Sequence, residues 1–255
     1  MARTTDVTPA ALILAGSRPG APDPLADYAG VAHKALIELD GKTLLARVTA
    51  ALRRAGIDRI AVSADHPAVV VEALRLSLQV IAPAAGPSGS VAAGLSALGA
   101  PLLVTTADHA LLRPEWVTRF VADVPAGTDA AVLLARRDVV EAAAPATRRT
   151  WLRFADGHWS GCNLFLLATP AAGEAIGLWS QVEADRKRPW RIVRRLGPGL
   201  LLRYLLGRLT LGAALRHLGA RAGIHAAAVA SPYGLAAIDV DKPADLDLVR
   251  TLVTR

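Results

Sequence analysis

Short apolar runs alternate with amphipathic stretches along most of this chain. Ala11-Leu12-Ile13-Leu14 is apolar throughout and has the length of a buried parallel strand. Gly41-Lys42 reads as a turn. Thr43 to Ala55 follows with Leu44, Leu45, Val48, Ala51 and Leu52 on one face, an amphipathic helix closed by Gly56. The same reasoning predicts strands at 59–63 and 79–81 with a helix over 67–78 between them. Residues 83–89 read as a loop, and Ser90 caps a helix over 91–98. A buried strand follows at 101–106, then a helix over 114–121 and a strand at 129–134. Strand–helix alternation of this kind predicts a single α/β domain over 1–255, Rossmann-like, doubly wound around a mostly parallel sheet.

Beyond Arg148 the pattern changes. Trp151–Phe154 and Cys162–Leu167 read as strands, with Asp156-Gly157 as a hairpin turn between them. Residues 185–221 form a small insertion predicted to be helical, near the C-terminus. It has a basic run, Arg186-Lys187-Arg188-Pro189-Trp190-Arg191, then a leucine-rich stretch in which Thr210 caps a helix over 211–218. A last strand is expected at Ala236–Asp241, and a last helix over 244–253 with Pro243 in its first turn.

Composition narrows the picture. The 255 residues are 53% hydrophobic, enough for a sizeable core, with a formal charge of +7 and 4% aromatic residues. Basic and aromatic residues do not alternate as in a nucleic-acid groove, so no nucleic-acid partner is expected and the charge suits phosphate ligands or an anionic surface. One cysteine, Cys162, leaves no partner for an internal disulfide and no cysteine-rich zinc site. Met1 to Pro9 lacks an apolar signal core, and a cytoplasmic location is expected. The basic leucine-rich stretch 186–218 reads in three ways: a peripheral membrane contact, packing on the sheet or in a dimer, or a lid over an acceptor site.

Candidate chemistry gathers where predicted strands end. Strand 11–14 runs into Ala15-Gly16-Ser17-Arg18-Pro19-Gly20, a small-residue turn that can bring backbone N–H groups against phosphate, with Arg18 and Lys34 as nearby cations. Asp108 follows a fully apolar strand, where open α/β sheets bind ligands. It lies too far from Pro114 to cap that helix directly. Asp239 and Asp241 alternate at the end of the last predicted strand, though either could instead cap the helix beyond. Two carboxylates from two strand ends suit Mg²⁺ alongside phosphate oxygens. His109 could touch substrate, but a lone histidine beside a site reads first as a structural, hydrogen-bonded group.

In order along the chain stand LAGSRPG, HKALIELDGKTLL, GPSGSVAAGL, TTADHALL and IDVDKPADLDLV. Together they resemble the GT-A type nucleotidyltransferase superfamily. The nearest likeness is to molybdenum-cofactor guanylyl/cytidylyltransferases and to the cytidylyltransferases for methylerythritol phosphate and inositol phosphate. The resemblance implies Mg²⁺-dependent joining of an NTP to a phosphorylated small-molecule acceptor, with release of pyrophosphate. It implies catalytic roles for Arg18 and Lys34, and nucleotide binding by Leu14, Ala15, Gly16, Ser17, Gly86, Ser88, Gly89 and Ser90. It also implies metal binding by Asp108 and Asp241 and acceptor binding by Asn163. Two departures stand out: Ser17 occupies a position usually held by glycine, and the loop from Gly16 to Lys34 is long, with Asp23, Asp27 and Tyr28 in it. A cytidylyltransferase acting on a phosphorylated polyol or alcohol is the first expectation. Guanylyl transfer to molybdopterin comes second, because its short glycine loop is missing here. A GT-A glycosyltransferase would need a D-x-D motif where Asp108-His109-Ala110 stands, and a non-catalytic nucleotide-binding regulator would tolerate loss of Asp108 and Asp241.

Overall fold

The computed structural model describes residues 8–17, 23–184 and 197–253. The element order begins β1 (Ala10–Leu14), α1 (Pro24–Ala29), β2 (Glu38–Leu39), β3 (Lys42–Thr43), α2 (Leu44–Arg54), β4 (Ile60–Ser63) and α3 (Pro67–Arg75). It continues with β5 (Gln79–Ile81), α4 (Gly86–Leu98), β6 (Leu102–Thr106), α5 (Pro114–Asp123), β7 (Ala130–Arg136) and α6 (Arg137–Ala143). The rest is β8 (Leu152–Phe154), β9 (Gly157–Leu167), α7 (Ala172–Ala184), α8 (Pro198–Leu205), α9 (Leu211–Arg221), β10 (Ala226–Ser231) and α10 (Pro243–Val253). Among the described residues, eight strands make the main sheet in the order β10-β7-β9-β6-β1-β4-β5, with β8 hydrogen-bonded to β9 outside that path. The β1–β4, β1–β6, β4–β5 and β7–β10 pairs are parallel; β9 runs antiparallel to both β6 and β7. This is the expected doubly wound, mostly parallel α/β sheet.

Helices cover both sheet faces, so the central strands are buried on both sides and read as continuous apolar runs. One face packs Ile13, Leu103, Leu133 and Leu164 against α2, α5 and the C-terminal segment. On α2, Leu44, Leu45, Val48, Ala51 and Leu52 are all fully buried, and the Thr43 hydroxyl accepts from the Ala46 N–H at 3.0 Å to cap it. Each such leucine contributes about 1.5–3 kcal/mol relative to exposure. The opposite face packs Leu12, Leu102, Val104 and Leu167 against α4 and α7. There Gly94 lets α4 sit directly on β1: a Cβ at that position would lie 2.4 Å from Leu12 Cδ2.

Three expectations need correction. Residues 236–241 are not a strand: Gly234–Ala237 is a 3₁₀ turn, and the chain then runs irregularly to α10. The last strand is instead β10, an alanine-rich edge strand beside β7. Alanine is a poor strand former, so the sequence AAAVAS gives little β signal. The expected loop over 83–89 ends early, because α4 already starts at Gly86, with Pro87 in its first turn. The long loop after β1 contains α1, with Asp23 Oδ1 accepting from the Leu25 and Ala26 N–H groups and Pro24 opening the helix. The hairpin is present, with Phe154 paired to Gly157 and a longer second strand than expected. Thr210 caps α9 as anticipated, through the Ala213 N–H. Residues 185–196, which hold the basic run, lie outside the described residues. Among the described residues, no helix is long and apolar enough to cross a membrane.

Candidate active site

β1 and β6 end side by side, with Leu14 opposite Thr106. Backbone bonds continue past both ends: Ala107 N–H donates to the Leu14 carbonyl at 2.9 Å and Ala15 N–H to the Ser63 carbonyl at 2.9 Å. The chain leaving β6 is thereby held in register until Asp108, whose carboxylate emerges beyond the carboxyl edge of the sheet. The Thr106 hydroxyl donates to Asp108 Oδ1 at 2.5 Å, fixing one oxygen. The Asp108 carbonyl accepts from the Val240 N–H at 2.9 Å, which anchors the C-terminal segment against the same edge.

Lys34 opens a 3₁₀ turn, Lys34–Leu36, whose start is capped by His33 Nδ1 accepting from the Ala35 N–H at 3.0 Å. Its ammonium donates to Asp108 Oδ2 at 2.6 Å and stands 3.7 Å from Asp241 Oδ1. Lysine and aspartates are 74 and more residues apart in sequence, so the fold alone brings them together. Burial by itself would pull the Lys34 pKa down, but the charge of Asp108 and its hydrogen bond outweigh that, with Asp241 and Asp23 adding to them, and the ammonium is held above its ordinary range. Asp108 is nearly buried, whereas Asp241 is two-thirds exposed.

Asp239 has a different role from Asp241. Arg149 donates to Asp239 Oδ1, and Asn163 Nδ2 donates to Oδ2 at 2.8 Å. Burial would raise the Asp239 pKa, but its bond to Arg149, the guanidinium charge and the Asn163 amide bring it below the usual carboxylate range. Asn163 reaches it from a bulge in β9: the β7–β9 register shifts between Val132 and Leu134, and Asn163 takes φ +48° there. Bulges of this kind re-aim side chains next to active sites. Of the two C-terminal aspartates, Asp239 is therefore neutralised internally, and Asp241 keeps its carboxylate beside Lys34 and Asp108.

The glycine segments converge on the same edge. Gly16 and Ser17 are exposed, and a Cβ on Gly16 would be 3.6 Å from Pro83 Cβ, so the loop after β1 faces the approach to α4. Gly86 is exposed with φ +83° at the helix start, and Ala85 supplies no side-chain cap. Ser88 and Ser90 are buried, and the Ser90 hydroxyl accepts from the Ala84 N–H at 3.1 Å. Ser90 thus shapes the turn rather than presenting its hydroxyl outward. Gly89 packs against the same turn, its would-be Cβ 3.0 Å from Ala84 Cβ. Arg18 lies outside the described residues.

His109 is almost fully buried, 3.4 Å from the Thr105 hydroxyl through Nδ1 and 6.2 Å ring to ring from Trp116. Burial drives its pKa down to about 4, so it is neutral at physiological pH, in keeping with the structural reading. Sequence reasoning missed Thr106 and Arg149. Thr106 stands two residues before Asp108, where a short hydroxyl can reach the carboxylate. Arg149 gave no signal, because only the fold brings it to Asp239, 90 residues on.

Among the described residues no group of three or more histidine, cysteine, aspartate or glutamate side chains converges. A metal here would rest on two carboxylates and take its remaining ligands from substrate and water. That is the donor set Mg²⁺ uses with nucleotides. The place between Asp108 and Asp241 is already suited to a cation, since the Lys34 ammonium contacts both.

Comparison with known proteins points to a family of NTP transferases. The family model described as a MobA-like NTP transferase domain matches residues 11–198. A hypothetical transferase from Thermus thermophilus superposes with a TM-score of 0.79 at 31% identity, covering 94% of this chain and 100% of its own. A nucleotidyl transferase from Methanothermobacter thermautotrophicus gives a TM-score of 0.59 at 19% identity, over 96% of this chain and 97% of its own. The 2-C-methyl-D-erythritol 4-phosphate cytidylyltransferase of Thermus thermophilus gives 0.52 at 16% identity, over 97% and 100%. The last two share the fold. No curated protein matches the chain.

Proposed function

This chain belongs to the MobA-like NTP transferase family, and from that premise we propose a Mg²⁺-dependent reaction joining an NTP, CTP before the others, to a phosphorylated small-molecule acceptor. The observation that carries the reading is the Lys34 ammonium set between Asp108 and Asp241 at the carboxyl edge of β1 and β6. Cytidine is placed ahead of guanosine because the loop after Gly16 is long, unlike the short glycine loop expected for guanylyl transfer.

In this reading the exposed Gly16 and Ser17 and the uncapped first turn of α4 receive the nucleotide phosphates on backbone N–H groups. Arg18 adds charge on the β- and γ-phosphates. An acceptor phosphate oxygen attacks the α-phosphorus in line. A new P–O bond forms there as the bond to the bridging oxygen breaks, and that electron pair leaves with pyrophosphate. Mg²⁺, when bound by Asp108 and Asp241, supplies neutralisation of the phosphate charge. Lys34 then turns from the carboxylates to the equatorial oxygens, where its charge is worth more in the transition state than in the ground state. Asn163, fixed by Asp239 and Arg149, lines the acceptor side. No protein nucleophile is needed, because positioning and charge lower the barrier.

The test is pyrophosphate release with each NTP and a set of phosphorylated polyols, with and without EDTA. Release that needs one NTP, one acceptor and the divalent cation supports the reading. Turnover undiminished in EDTA refutes its metal requirement.

A further inference from the structure

α8 is built the wrong way round for a helix that only packs on its own domain. Leu202, Leu205 and Leu206, at i, i+3 and i+4, are 57%, 70% and 57% exposed. At 100° per residue these three share one face, and Tyr204 lies on the opposite one. Tyr204 is half-buried and meets the Phe154 ring edge-on at 6.3 Å. The β8–β9 hairpin holds the following turn through Ala155 N–H to the Leu209 carbonyl at 2.8 Å and Leu211 N–H to Asp156 Oδ1 at 2.9 Å. The helix is therefore moored by its tyrosine side, and three leucines point to solvent. Exposed apolar faces of this kind mark interaction surfaces.

Charge decides between possible occupants. Arg203 and Arg208 are exposed beside the leucines. The sequence has no aspartate or glutamate from Arg186 to Ile238. A two-fold contact between copies through this face would bring its arginines against one another, a like-charge arrangement that disfavours pairing. An anionic lipid surface instead accepts both features, because arginines sit among headgroups while leucines enter the acyl boundary. Behind Phe154 lies an apolar cleft of about 450 Å³, walled by Val132, Phe165, Trp179, Leu215, Leu218 and the half-exposed Leu152.

We propose that α8 docks the protein on an anionic lipid bilayer, with Leu202, Leu205 and Leu206 inserted and Arg203 and Arg208 on the headgroups. The contact does not depend on which NTP the active site uses. Co-sedimentation of the full chain with phosphatidylcholine vesicles containing about a third phosphatidylglycerol tests it, beside vesicles of phosphatidylcholine alone. The expected result is binding to the anionic vesicles at 50 mM salt that weakens toward 500 mM and is at least tenfold weaker without phosphatidylglycerol. Leu202→Ser/Leu205→Ser/Leu206→Ser should reduce binding at least tenfold with an unchanged melting temperature. Arg203→Glu/Arg208→Glu should do so on anionic vesicles while keeping all three leucines. No binding at 50 mM salt, or binding by both variants equal to that of the wild type, overturns the proposal. So does a wild-type dimer that the leucine substitutions dissociate, which would assign the face to a second copy.

Discussion

Replacing Arg149 with methionine should destabilise the protein by about 3 kcal/mol at pH 8, and by clearly less at pH 5. Asp239 is mostly buried, with its side chain 20% exposed against 13% for Arg149. Removing one member of a buried ion pair strands the other and costs about 3–5 kcal/mol. The lower end applies, because the guanidinium makes a single bond to Asp239 and its Nε has no hydrogen-bond partner among the described residues. Asn163 also continues to hold the second oxygen. In the wild type the Asp239 pKa is depressed, so its contribution is complete above the unfolded value near 4 and is lost only as pH falls through the lower folded value. Without Arg149, burial dominates and raises that pKa, so protonation of Asp239 relieves the strain of the variant as pH falls. The gap should narrow by about 1 kcal/mol or more between pH 8 and pH 5. Urea unfolding of both proteins reads it as a midpoint shift of about 1 M at pH 8, for a slope of about 3 kcal/mol per M. A gap below about 1 kcal/mol, or one equal at both pH values, would show that Arg149 does not neutralise a buried Asp239 charge. Asp239→Asn in the Arg149→Met background should recover part of the loss.

Other outcomes follow from the same structure. Lys34→Met should lower kcat/KM by about 10²–10³-fold, the usual cost of one charge-stabilising donor, while NTP affinity changes less; steady-state kinetics with equilibrium nucleotide binding separates the two. His109 has a folded pKa of about 4, below its unfolded 6.5, so the unfolded chain binds the extra proton between those values and stability falls as pH drops through that window. The loss is about 3 kcal/mol in full, and His109→Phe should flatten the pH profile of the urea midpoint. Gly234→Ala should lower the melting temperature sharply, since its Cβ would lie 2.2 Å from the Val139 carbonyl oxygen, a backbone atom that cannot step aside. Gly177→Ala, in the interior of α7 with nothing within 4 Å, should instead raise stability by about 0.5–1 kcal/mol.

The strand-and-aspartate frame of the site was written plainly in the sequence. Leu102–Thr106 is apolar and β-branched, and any sheet that buries it places Asp108 at its carboxyl edge. Lys34 and Asp241 could be named because short motifs surround them, but their distance from Asp108 could not, since it depends on how α1 and the chain after β10 return. The error at 236–241 has a simple cause. Ala236 to Val240 is apolar enough to suggest a strand, yet these residues are the end of a 3₁₀ turn and an irregular run, with Ala236, Ala237, Ile238 and Val240 all buried. Apolarity reports burial more surely than it reports conformation. Asp23-Pro24 did carry a helix-start signal, N-cap aspartate followed by proline, which the length of the loop obscured. Arg149 had no signal at all: its partner stands 90 residues on and is brought to it by tertiary packing, not by any local pattern.

The central claim is that Asp108 and Asp241, bridged by Lys34 in the free protein, form the metal and phosphate site of nucleotidyl transfer. The most direct measurement is pyrophosphate release by the pure protein with Mg²⁺, each of the four NTPs and a pool of phosphorylated acceptors, with Asp108→Ala run in parallel. Release is expected with one NTP and one acceptor, abolished by Asp108→Ala while the variant stays folded. Release that survives Asp108→Ala, or a wild-type protein that binds none of the four NTPs, would contradict it.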